Sequence, residues 1–225
     1  MEKALLTRGN GASRANDVYE KLRTAIVMGE LRPNEPLIEA DLAEQLQVSR
    51  TPIRESLQRL VADGLIVPRR RGWSVREYTP DEVKQRSEVR AALEGYAAFL
   101  AAERATQDEL DEIVAIHQHR LRIDTRDEDL RVSTNRDLHA RIIEAARNEE
   151  LKNAIFKTGR FYFNRAVARA NNEQQLAAGN SDHEHIVAAL AARDSYTAER
   201  LMRDHILRTF SNFQRLVNSG TGTSD

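Results

Sequence analysis

Between Ser49 and Arg76 the chain, SRTPIRESLQRLVADGLIVPRRRGWSVR, can fold in few ways. Thr51 before Pro52 makes an N-cap and first-turn pair, because a proline at the start of a helix lacks only an N–H that has no intrahelical partner there. Ile53, Leu57, Leu60 and Val61 then recur at helical spacing as one apolar stripe, leaving Thr51, Arg54, Glu55 and Gln58 on an outer polar face. Gly64 closes the helix, Leu65 to Val67 is a short β-branched run, Pro68 to Gly72 turns, and Trp73 to Val75 returns as a second strand. A helix followed by such a hairpin predicts a helix with a wing.

The charge of this stretch is unusual for the chain that carries it. Seven arginines (50, 54, 59, 69, 70, 71 and 76) stand against Glu55 and Asp63, a net of +5, whereas the whole protein nets −1. A basic helix and a basic wing suit a phosphate backbone with base edges read between its strands. The competing reading is a solvated, arginine-rich surface helix beside an ordinary hairpin. Divided after Tyr78, the first part has 13 basic and 11 acidic residues and the remainder 21 and 24, so only one end favours polyanions.

The 225 residues allow one large or two small domains, with 40% hydrophobic residues for their cores. Alanine, leucine, arginine and glutamate abound while only 5% of residues are aromatic, so helix is favoured nearly everywhere. The absence of cysteine excludes disulfides, thiolate nucleophiles and cysteine-bound clusters, and fits a reducing cytosol. No stretch approaches the ~18 apolar residues of a membrane span. Met1 to Ala12 lacks the apolar core of a signal peptide, so a cytoplasmic protein is expected.

In order, residues 1–14 are expected to be a flexible leader. Ala15 to Met28 follows as a helix with Val18, Leu22, Ala25 and Ile26 on one face, ended by Gly29. Leu31 to Leu37, with Pro33 and Pro36, is extended or turned, Glu39 to Leu46 is a short helix, and Gln47-Val48 turns into the helix described above. Three helices and a two-stranded wing over residues 15–78 predict a winged helix-turn-helix. VYEKLRTAIVMGELRPNEPL, EADLAEQLQVSRTPIRESLQRLVADGLI and RRRGWSV resemble the DNA-binding domain of GntR-family transcription regulators. That resemblance implies DNA contacts from Arg50 and Arg54, phosphate contacts from Ser49 and Thr51, and a wing tip at Gly72 that enters the minor groove. Gln58, on the same outer helix face, and Arg70 and Arg71, in the wing turn, join them as DNA-binding candidates. Ala40 stands where some members have a further arginine, so the operator sequence does not carry over.

Residues 79–218 are expected to form an all-helical bundle, with 219–225 a disordered tail; the whole chain is then mainly α. Its helices are Asp81 to Arg104, Asp108 to Arg122, Asp127 to Ala146, Glu149 to Ala170, Asp182 to Ala192 and Ser195 to Val217, with a loop over Asn171 to Asn180. The first has two faces. Val89, Leu93, Tyr96 and Leu100 form an apolar stripe, and Ser87, Arg90, Glu94, Ala97, Ala98 and Ala101 a small-residue stripe interrupted by two charges. Arg90 and Glu94 either pair near the surface or mark a cavity in which Arg90 holds an anion.

Of six histidines, His139 follows Asn135 by four residues and shares its helix face, whereas Asp137 sits about 200° away. Three histidines from different helices and one oxygen donor can hold a divalent transition metal, but spacing alone does not bring His139, His183 and His205 together. SEVRAALEGYAAFLAAERA, NRDLHARIIEAARNEEL, DHEHIVAALAARD and RLMRDHI are similar to the FCD ligand-binding domain of the FadR branch of the same family. The resemblance implies a metal site at Asn135, His139, His183 and His205, open to zinc, nickel, cobalt or manganese. His117, His119 and His185 read as solvated.

The expectation is a homodimeric DNA-binding regulator, read as a repressor with activation the open alternative, on the palindromic operator that a symmetric dimer implies. Its affinity for DNA would be controlled by a small organic or sugar acid bound near the metal and anchored by Arg90. A metal-free effector pocket is the alternative. A helical metalloenzyme is a further one, opposed by the basic DNA-reading element and by the absence of a general base near the ligands.

Overall fold

A computed structural model of the chain describes residues 11–27, 30–158, 168 and 171–220. The chain divides into two compact units, with the break after Glu77.

The first unit contains α1 (Gly11–Val27), β1 (Pro36–Leu37), α2 (Glu39–Gln45), α3 (Arg50–Ala62), β2 (Ile66–Pro68) and β3 (Trp73–Val75). Helix α1 starts within the stretch expected to be flexible, so residues 11–14 are helical; no breaker separates Gly11 from the buried face of Ala15, Val18, Leu22 and Ile26. The expected stop at Gly29 and the first ten residues of the leader lie outside the described residues.

Helix α3 also starts earlier than Thr51. Ser49, with extended backbone and no side-chain capping bond, is the N-cap, and Pro52 falls in the first turn, where its missing N–H is still harmless. Ile53, Leu57 and Leu60 are fully buried. Ser56 shares their side of the helix, where its hydroxyl donates to the carbonyls of Pro52 and Ala15, both at 2.7 Å, tying α3 to α1. A second tie is Tyr19, whose hydroxyl donates to Asp63 at 2.5 Å while the Arg59 guanidinium lies 3.8 Å from its ring centre. Burial and the hydrogen bond to Asp63 push the Tyr19 phenol up to about 12.

The sheet has three antiparallel strands in the order β1-β3-β2, one more than expected. Pro36 and Leu37 form the extra strand, with Pro36 opposite Ser74 and Leu37 opposite Trp73. Pro36 is tolerated because β1 is an edge. In the turn, Gly72 has a φ of +81°, and a Cβ there would stand 2.6 Å from the Leu37 carbonyl oxygen. That glycine is required by backbone conformation and by β1 alike.

The second unit contains α4 (Pro80–Arg104), α5 (Gln107–Leu121), α6 (Glu128–Ala145), α7 (Glu149–Thr158), α8 (Glu173–Ala191) and α9 (Ser195–Gly220). Capping boxes start three of them, Thr79 with Glu82, Thr106 with Glu109 and Asn172 with Gln175. The last of these corrects the expected loop: Asn171 to Asn180 holds a helix start, and α8 begins well before Asp182. Most of 159–170 lies outside the described residues, whereas Ser219 and Gly220, expected in the tail, are the last residues of α9.

Helix α4 packs on α6, α7, α8 and α9. It buries its small-residue stripe: Ser87, Arg90, Glu94, Ala97, Ala98 and Ala101 are each at most 4% exposed. Of the apolar stripe only Leu100 is buried, with Leu93 half-buried, Val89 52% exposed and Tyr96 47% exposed. Alanine and serine allow close helix approach on several sides, so the small face goes inward.

Candidate functional site

On the first unit the DNA-binding candidates Ser49, Arg50, Thr51, Arg54, Gln58, Arg70 and Arg71 are all exposed, and Gly72 is half-buried against β1. Arg54 is held in place: its Nε and Nη2 donate to the two carboxylate oxygens of Glu39 on α2, both at 2.9 Å. The Arg54 hydrogen bond holds the Glu39 carboxyl below its ordinary value. Two other arginines of the basic stretch are structural. Arg59 bonds to Asn16 and covers Tyr19, and Arg69 donates to Ser74 and Asn34. Arg50, Arg70 and Arg71 are exposed on the helix and wing, together with Arg54 in its pair with Glu39.

On the second unit, three helices bring His139 (α6), His183 (α8) and His205 (α9) together. All three are buried, each offering a ring nitrogen such that the three atoms lie within 4.8 Å of one another. Asn135 lines the same cavity one turn before His139, as does Arg90. The cavity measures about 80 Å³. That is well above the roughly 10–15 Å³ needed to hold one water.

The partners of each ring define its protons. His139 Nδ1 donates to Glu94 at 2.6 Å, and Glu94 in turn accepts from Arg90. His205 Nδ1 donates to Asp182 at 3.3 Å, and Asp182 also accepts from Arg208. Arg120 donates to His183 Nδ1 and, at 3.0 Å, to Asn180. A neutral His183 must then carry its hydrogen on Nε2, which stands 3.2 Å from His139 Nε2. The result is a continuous chain, Arg120 to His183 to His139 to Glu94. Burial brings the His139 ring down to about 4 and His183 well below its ordinary value, so both are neutral. Burial tends to raise the Asp182 carboxyl, but hydrogen bonds and charge from His205 and Arg208 outweigh it and the net shift is downward.

These donors suit a divalent transition metal: three imidazoles at close range and a nearby amide oxygen. Two of the rings are oriented by carboxylates from behind, as metal-binding histidines commonly are. His183 is the exception. To offer Nε2 as a ligand it must carry its hydrogen on Nδ1, which Arg120 then cannot approach as a donor.

Arg90 was expected to anchor an effector. It does line the cavity, but its Nε is engaged with Glu94, and both side chains are buried. His117, expected to be solvated, is 5% exposed, and neither ring nitrogen has a hydrogen-bond partner among the described residues; burial and the charge of Arg120 lower its pKa. His119 and His185 are exposed. The sequence offered no signal for Arg120, Arg131 or Arg208, which reach the cavity from α5, α6 and α9.

Comparison with known proteins accounts for both units. Residues 14–75 match the family of bacterial regulatory proteins called the gntR family, and residues 85–208 match the FCD domain. The chain is 31% identical over 191 residues to the Nta operon transcriptional regulator of Aminobacter aminovorans, covering 83% of this chain and 88% of that one. It is 28% identical over 202 residues to a probable D-xylose utilization operon transcriptional repressor of Paenarthrobacter nicotinovorans, covering 89% and 88%. Among solved structures, Escherichia coli McbR/YncC has the same fold, with a TM-score of 0.78 over 91% of this chain and 98% of that one at 23% identity. The chain belongs to the GntR family of bacterial transcription regulators, joining a winged helix-turn-helix to an FCD domain, and it is a regulator rather than an enzyme.

Proposed function

We propose that this protein is a cytoplasmic, homodimeric repressor whose affinity for a palindromic operator is controlled by a small carboxylate bound near a divalent metal in the second unit. The observation that carries the proposal is the convergence of His139, His183 and His205 in a cavity also lined by arginines. An ion on three imidazoles and the Asn135 amide keeps its full positive charge and can take a carboxylate at an open position. Ser49, Arg50, Thr51, Arg54, Gln58, Arg70, Arg71 and Gly72 form the operator-facing surface, the arginines supplying base-edge and phosphate contacts. Effector binding shifts the placement of the two winged helices by no more than its differential affinity for the two arrangements, typically about 1–3 kcal/mol.

A metal-free pocket is favoured by one observation, the unbroken hydrogen-bond chain from Arg120 to Glu94, which satisfies two of the rings without an ion. Elemental analysis of protein purified without a histidine tag or chelator separates the readings. About one zinc, nickel, cobalt or manganese ion per chain, lost in His183→Ala, is the expected result. No ion in the wild type, even after reconstitution with each metal, assigns the histidines to the metal-free pocket.

A further inference from the structure

Four arginines and one aspartate line the histidine cavity. Two of the arginines are neutralised where they stand. Arg90 is paired with Glu94, and Arg208 with Asp182. The other two have no carboxylate within ion-pairing distance among the described residues. Arg120 donates to a histidine and an asparagine, and Arg131 donates one hydrogen bond, from Nη1 to the Thr125 carbonyl at 2.9 Å. Arg131 Nη2 is buried with no hydrogen-bond partner among the described residues, and so is the Asn171 side-chain oxygen in the same cavity wall.

A buried guanidinium nitrogen without an acceptor carries a desolvation cost that native structures seldom leave unmet. Here it lies in the same cavity as a second arginine, Arg120. Arg120 and Arg131 line the same cavity from α5 and α6, with the charge of Glu128 acting on Arg131 from one turn earlier in α6. Among the described residues, Arg120 and Arg131 are the two cavity-lining guanidinium groups without an ion pair.

We infer that Arg131, with Arg120, forms a second acid-binding subsite in this cavity, so that the effector is a small dicarboxylate, with one acid group taken at the histidines and the other by these arginines. The inference rests on the carboxylate reading of the cavity and adds the second charge to it. The space, about 80 Å³, suits a small short-chain dicarboxylate. Planar guanidinium groups suit carboxylates because two parallel N–H bonds can be made to one acid group.

The test uses the full chain as purified and compares malonate, succinate and glutarate with their monoamides, which have the same shape and one charge fewer, by calorimetric titration at fixed ionic strength near neutral pH. At least one dicarboxylate is expected to bind about tenfold or more tighter than its monoamide. Arg131→Gln should reduce that ratio to about threefold or less by weakening the diacid alone, and Arg131→Lys should restore part of it. Circular dichroism checks that both variants fold. Equal affinity for diacid and monoamide in the wild type overturns the second subsite while leaving a carboxylate site standing. A tenfold preference that survives in folded Arg131→Gln overturns it too. Failure of every diacid and monoamide to bind overturns the carboxylate reading and the subsite together.

Discussion

Glu94 is 1% exposed and sits between the Arg90 guanidinium and the His139 ring. Its charge is tolerable there only because both neighbours donate to it, and removing either would leave a buried carboxylate undercompensated. The rings it helps to orient are neutral in the folded protein, and this has a pH consequence. A histidine whose pKa is lowered by folding takes up a proton more readily when unfolded, so its contribution to stability is complete above about 6.5 and is lost as the pH falls toward the folded value. His139, brought down to about 4, would account for up to roughly 3 kcal/mol, with His183 acting in the same direction. The urea midpoint of metal-free protein should fall steadily from about pH 7 to 4.5, with a shallower slope in His139→Gln. A midpoint that is flat over this range would refute the neutral assignment. Sequence showed the Asn135–His139 face because spacing along one helix determines it. Glu94 and Arg120 were invisible as partners, since each meets its histidine from another helix, 45 and 63 residues away.

At the scale of the element, α3 was almost wholly legible. Three residues of the predicted stripe, Ile53, Leu57 and Leu60, are fully buried, joined by Ser56, while the fourth, Val61, is half-buried. What spacing could not show is that α2 positions its principal arginine through Glu39. An arginine held in both planar bonds enters a groove with less freedom to lose, although an exposed pair of this kind adds little to stability. Arg54→Ala should therefore leave the thermal midpoint nearly unchanged and weaken operator binding by about 1–3 kcal/mol, measured by fluorescence anisotropy on DNA selected from a random pool. Unchanged affinity in the folded variant would remove Arg54 from the interface. Helix α4 was legible in its boundaries but not in its orientation. Two stripes competed to face inward, and the more hydrophobic of them is the more exposed, because its neighbours pack against alanine and serine.

That exposed stripe matters for the whole molecule. Val89 and Tyr96 on α4 lie on the surface with Tyr196 of α9, which is 78% exposed; Phe99 stacks on Tyr96 at 5.9 Å and meets Tyr196 edge-on at 5.2 Å. Large side chains exposed together in this way are characteristic of an interface. If the protein is the homodimer proposed above, this face is the candidate surface for the second copy. Light scattering should give about twice 25.6 kDa for the wild type and a shift toward the single-chain mass for Val89→Glu combined with Tyr96→Glu. A dimer that persists unchanged in the double variant would place the interface elsewhere. Taken alone, the amino-acid sequence determined the local choices, namely helices from their periodicity and caps, the wing from its turn residues, and the separation of a basic end from an acidic one. All of these depend on interactions within a few residues or on net charge. The tertiary structure decided which face of α4 was buried, which arginines were neutralised, and whether three histidines from three helices shared one cavity, because contacts between helices distant in the chain set those outcomes and no spacing records them.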